Sequence, residues 1–220
     1  MFRQKNILFF LFAGATLLAA SCNSDFTQKP KGYAVVTLPE KKEYRSFNEP
    51  GFPYTFEYPA YAEILKDSSY FGEKPENPFS LNVEFPSLKC KFYISYKIIG
   101  GTTVYKVPDP ATGKYRDSAA VNTFDRLLTQ AFDLSSKNTV YKSAGGGDSL
   151  MRTPNGISGV FFKAEGNAAS PMQFFVSDST RHFLRGSMYY DASPNADSTG
   201  PVTRFLYPDL QRLINTLKWK

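Results

Sequence analysis

The chain has 220 residues, with 26 Lys+Arg against 20 Asp+Glu and a formal charge of +6 at pH 7. Hydrophobic residues make up 42% and charged residues 21%, which excludes both a disordered tail and a multi-span membrane protein. One His and two Cys argue against a multi-His metal centre and a disulfide framework, while 20 Phe, 14 Tyr, 15 Pro and 15 Gly favour one sheet-rich domain with many turns.

The N-terminus reads as an address. Arg3 and Lys5 precede an uncharged apolar run from Ile7 to Ala20. That run is shorter than the roughly 20 residues a membrane-spanning helix needs, and it fits the h-region of a secretory signal peptide. Its end, Leu18-Ala19-Ala20-Ser21-Cys22, resembles a bacterial lipobox. The resemblance implies that the Cys22 thiol takes a diacylglycerol, that cleavage falls before Cys22, and that the new amine is acylated in turn. The leucine usual three places before the cysteine is here Ala19, with Leu18 one step early. Acyl chains hold a protein on a bilayer by about 0.8 kcal/mol per buried methylene, so the mature chain needs no spanning helix. Asn23 in place of Asp weakly favours the outer membrane, but inner against outer stays open.

The expected organisation is a signal peptide at 1–21, a lipidated N-terminus and tether at 22–50, and a single globular domain at 51–220. In the tether, Lys29, Pro30, Lys31, Pro39, Lys41, Lys42 and Pro50 keep the segment stiff and solvated. If Cys22 carries lipid, Cys90 is the remaining thiol, and it is expected as a small apolar core residue.

Alternating aromatics from Pro53 to Pro59 predict the first strand, and 81–85 the second, closed by Pro86. Over 88–99 the period is two: Leu88, Cys90, Phe92, Ile94 and Tyr96 share one face, with Lys89, Lys91, Tyr93, Ser95 and Lys97 opposite. The period then changes. Ala120, Phe124, Leu127, Leu128 and Ala131 predict an amphipathic helix over 117–136, capped by Asp117 or Ser118. Strands are expected at 138–142 and 149–152 around a turn at Gly145-Gly146-Gly147-Asp148, and again over 156–164. Gly166-Asn167-Ala168-Ala169-Ser170 reads as a tight link. Residues 172–177 and 182–190 form a hairpin about Asp178-Ser179-Thr180. A polar loop over 191–200 leads to a helix over 201–219, begun or kinked at Pro208. Phe161-Phe162 and Phe174-Phe175 are adjacent pairs, so each pair must point to both faces of a sheet.

Strands, helix, strands, helix predict an α+β fold, a mostly antiparallel sheet flanked by helices. The outline is similar to PsbP/Mog1-like domains, which place helices on both faces of the sheet; this likeness transfers no function.

The chemistry-bearing motifs fail on detail. Gly145-Gly146-Gly147-Asp148 lacks the Lys-Ser/Thr of a phosphate loop, and no serine sits in a G-x-S-x-G context. The one histidine, His182, reads as a hydrogen-bonded turn residue. No catalytic residue, cofactor or metal is expected, and neither a nucleic-acid partner nor a small-molecule substrate.

One family carries the reading further. Gly166-Asn167-Ala168-Ala169-Ser170, residues 173–190, Asn195-Ala196-Asp197-Ser198, the stretch Thr216-Leu217-Lys218-Trp219-Lys220, and Lys29-Pro30-Lys31-Gly32-Tyr33 near the cysteine resemble the gliding-motility lipoproteins of Bacteroidota, the GldD type. The resemblance covers nearly all the mature chain and is strongest from residue 158. It implies a cell-envelope lipoprotein, membrane-anchored and periplasm-facing, acting as a structural or assembly component of the gliding motility and type IX secretion machinery, with other envelope proteins of that machinery as partners. Longer insertions near 66–79 and 106–116 depart from the family. The alternative is an envelope-anchored hydrolase or ligand-binding module. Cys22 is the lipid attachment site, and Asn167, Ser170, Asp178, Arg181 and His182 form the candidate partner-facing loop and hairpin.

Overall fold

The computed structural model describes residues 37–40, 43–66, 78–140, 143–191 and 195–220. The described residues all fall within the unit Ala34–Lys220. The expected signal peptide, Cys22, most of the tether and most of the insertion near 66–79 lie outside them.

Twelve strands and two α-helices appear among the described residues. In chain order they are β1 (Tyr44–Phe47), β2 (Tyr54–Pro59), β3 (Glu63–Lys66), β4 (Leu81–Phe85), β5 (Cys90–Ile98), β6 (Thr102–Pro108), β7 (Tyr115–Val121), α1 (Phe124–Val140), β8 (Ser143–Arg152), β9 (Ser158–Gly166), β10 (Met172–Ser177), β11 (His182–Tyr190), α2 (Ala196–Thr216) and β12 (Lys218–Trp219). A seven-stranded sheet runs β3-β4-β5-β11-β10-β9-β8, with every neighbouring pair antiparallel. A smaller sheet is ordered β1-β2-β12, and β6-β7 form a separate hairpin. The fold is α+β and mostly antiparallel, as expected. No helix among the described residues is long and apolar enough to cross a membrane.

The aromatic pairs explain how the large sheet is covered. Phe161 and Phe174 are cross-strand partners on one face. They join a core with Tyr54 and Phe56 of β2, Phe85, Phe92 and Tyr96, and with Leu206, Leu210, Leu213 and Ile214 of α2. Phe162 and Phe175, their sequence neighbours, turn to the other face. There they meet Val160, Phe183, and Leu127 and Ala131 of α1. Phe175 and Phe183 stack with centroids 5.3 Å apart. Cys90 is buried on the first face as expected, and burial pushes its thiol up to about 12.

Several expectations are corrected. Residues 117–121 are strand, not helix: Asp117 pairs with Lys106, Ser118 with Tyr105 and Ala120 with Thr103. The helix begins only after Thr123, whose Oγ1 accepts from the Arg126 N–H at 3.3 Å and whose carbonyl accepts from Leu127 N–H. Residues 138–140 continue this helix rather than start a strand. Gly145-Gly146-Gly147-Asp148 is not a turn but part of β8. A Cβ at Gly146 would come 2.4 Å from the Lys163 carbonyl oxygen, so that glycine serves a close backbone approach. Much of the expected loop at 191–200 is the first turn of α2, capped by Asn195, whose side chain accepts from Asp197 N–H at 3.1 Å. Pro208 then falls inside the helix on its exposed side, and Trp219 lies in β12. β1 precedes the expected domain start near Gly51, with Phe47 buried in the core. Leu88 belongs to a short 3-10 turn before β5, not to the strand.

Candidate functional site

The β10–β11 turn holds three of the five candidate residues. Its backbone sets their geometry. Asp178 Oδ1 accepts from the N–H groups of Thr180 (3.0 Å), Arg181 (2.8 Å) and His182 (2.8 Å). This is the side-chain turn that Asp makes readily, and it lets Ser179 adopt a left-handed φ of 63°. Burial alone would raise the Asp178 carboxyl, but the three N–H donors outweigh it and hold the group below the usual carboxylate range.

His182 faces inward. It is 5% exposed, its Nδ1 lies 2.6 Å from the Tyr96 hydroxyl, and its ring stacks on Trp219 with centroids 4.9 Å apart and planes at 12°. Burial pushes the imidazole below its ordinary value; Asp178 opposes that shift and Arg181 adds to it. The Ser177 hydroxyl donates to the His182 carbonyl at 2.6 Å. His182 and its neighbours thus brace the end of the large core.

The other two candidates lie elsewhere. Asn167 is exposed, and its Oδ1 accepts from the N–H of Ala196 at 2.8 Å, tying the β9–β10 link to the start of α2. Ser170 is 1% exposed and bonds to the Met172 carbonyl. The side chains of Ser170 and His182 are buried, so neither lies on the surface of the described body. Arg181 is exposed and Asp178 half-buried, and these two alone of the hairpin candidates reach the surface. Cys22 lies outside the described residues.

Two polar constellations escaped the sequence reading. Asp209, on α2, is 1% exposed and accepts from the hydroxyls of Tyr44 (2.6 Å) and Tyr61. Burial first, and Asp209 second, push the Tyr44 phenol up to about 12 and raise that of Tyr61 as well. The signal was present in the sequence: an Asp within the helical apolar stripe Leu206, Leu210, Leu213. The second constellation lies on the α1 side of the sheet. Gln173 Oε1 there accepts from Arg185 Nη2 at 2.5 Å and from the Ser187 hydroxyl at 3.5 Å. Period two from Phe175 would have put Gln173 on that face.

A groove of about 320 Å³ lies between β2 and the end of α2, lined in part by Thr55, Glu57, Asn155, Thr216 and Lys218. Three of its polar side chains, Glu57, Asn155 and Thr216, are engaged within the fold. Glu57 pairs with Arg212 at 2.7 Å, Thr216 Oγ1 accepts from the Glu57 N–H, and Asn155 donates to the carbonyls of Asn215 and Leu217. Among the described residues no three His, Cys, Asp or Glu side chains are grouped to hold a metal ion.

With this geometry in view, comparison with known families gives one finding. The family model described as gliding motility lipoprotein GldD matches residues 23–219. No curated protein matches the chain.

Proposed function

The chain belongs to the gliding motility lipoprotein GldD family, and we propose that it is a structural or assembly component of the gliding apparatus and of the type IX secretion machinery linked to it. Membership implies involvement in gliding motility and a membrane-anchored place in the cell envelope; the family is not known as an enzyme family. One observation carries the finer reading: the match runs over residues 23–219, so it takes in every described element of the fold rather than a single grafted motif. The engaged state of His182, Asp209 and Glu57 supports it, since each is bonded across two elements, while Asp178 is committed to its own turn.

In this reading Cys22 bears the lipid, the residues between Cys22 and β1 lead from the membrane, and the folded body faces the periplasm. The partners are other envelope proteins of the machinery. The test is deletion of the gene in its native host, with the wild-type chain and Cys22→Ser each supplied back. Deletion should abolish colony spreading and release of secreted cargo. The wild-type chain should restore both, and Cys22→Ser should leave the membrane fraction. Normal spreading and secretion in the deletion strain would remove the proposal; unchanged fractionation of Cys22→Ser would remove the anchor.

A further inference from the structure

The two edges of the seven-stranded sheet are built differently. β3 has four residues, carries charge at both ends in Glu63 and Lys66, and Lys66 is tied to Glu49 at 2.5 Å. Short, charged edges resist further pairing. β8 has ten residues, and every position from Gly145 to Leu150 is exposed. Its inner side pairs with β9, and no described strand pairs with its outer side. Leu150, at 91% exposure, is the most exposed large apolar side chain among the described residues. Gly146 and Gly147 add no side chain to obstruct an approaching backbone. Such an edge is a template for strand addition.

The side chains of β8 indicate which strand fits. Asp148, Leu150 and Arg152 alternate, so they share one face. Antiparallel pairing about Leu150 makes this triplet its own complement. Asp148 of each copy falls opposite Arg152 of the other, and Leu150 falls opposite Leu150. Opposite charges and apolar groups placed directly across an antiparallel ladder stabilise it, and a one-residue slip would separate both ion pairs and move the leucines apart. We propose that β8 pairs antiparallel with β8 of a second copy of this chain, centred on Leu150. This two-fold contact joins the two seven-stranded sheets into one.

The experiment uses the lipidated chain in intact native envelopes. Leu150→Cys should give, on mild oxidation, a disulfide-linked species of twice the protomer mass. Cys90 is buried, and Tyr115→Cys, on the exposed β7, serves as the control. Monomer alone, a band of any other mass, or equal crosslinking of the control would overturn the proposal; a band of other mass would mean that a different protein occupies the edge. Sedimentation of the purified lipoprotein in detergent tests the register. Asp148→Arg should weaken association about tenfold, because two attractive pairs become repulsive. Asp148→Arg combined with Arg152→Asp should restore it to within about twofold, and absence of rescue overturns the register. Both side chains are exposed, so unchanged melting of each variant verifies that folding is intact.

Discussion

The same strands build both faces of the large sheet, yet the faces are closed in different ways. On one, β1-β2-β12 and α2 seal a continuous aromatic core in which Tyr54, Phe56, Phe85, Phe92, Tyr96 and Phe174 are almost wholly buried. On the other, α1 is the described helix that covers a short apolar strip, with Phe132 still 37% exposed. Beside that strip the packing turns polar: Gln173 and Ser187 are buried there and bonded to each other, with Arg185 on the same Gln173 oxygen. Burial of apolar area is the main source of stability, so the first face should carry most of it. The second face, with Phe132 part-exposed at its edge, should relax more readily around a lost side chain, which lowers the cost of a cavity.

Neighbouring phenylalanines test this most directly. Phe174→Ala, on the sealed face, should cost about 4–5 kcal/mol, and Phe175→Ala, under α1, about 3 kcal/mol, both read by urea unfolding of the mature chain. Equal costs, or the reverse order, would break the asymmetry. A smaller effect is expected from acid. The His182 imidazole is buried at the end of the sealed face and held below its ordinary value. An unfolded chain therefore takes up its proton first, near pH 6.5. The stability that neutral His182 supports is fully present above that pH, and it is lost as pH falls from there through the folded value. Thermal melts between pH 7 and pH 5 should show the melting temperature dropping, and His182→Gln should flatten that slope. The smallest effect belongs to the polar link between the sheet and α1. Lys97 Nζ reaches Gln130 Oε1 at 3.4 Å in an exposed setting, so Lys97→Ala should change stability by no more than about 0.5 kcal/mol. A loss above about 1 kcal/mol would mean that α1 is held by polar contacts rather than by Leu127 and Ala131.

Period two was legible where both faces of a strand are covered. The bounds of β10 and β11 and the split of each phenylalanine pair follow from the sequence, because alternation leaves no other arrangement. Reading failed where a local signal competed with a tertiary one. Ser118, Ala119 and Ala120 suit a helix, but pairing with β6 keeps them extended. The three glycines of β8 suit a turn, yet Gly146 is there so that two backbones can approach. Of the candidate site, the Asp178 turn was legible from its residue type. The burial of His182 and Ser170 was not, because it depends on Trp219 and on packing distant in sequence. Asp209 was missed although its place among apolar neighbours on α2 marks it, since its partners Tyr44 and Tyr61 lie about 150 residues earlier.

β2 has one neighbour close at hand in β1 and another, β12, far along the chain. Synthesis and export both proceed from the N-terminus, so Tyr54 and Phe56 emerge long before the residues that complete their sheet. Until Lys218 and Trp219 arrive, that aromatic strand keeps an open side and His182 lacks its stacking cover. Premature termination ahead of residue 218 would therefore be a lesion in β2, far back along the sequence.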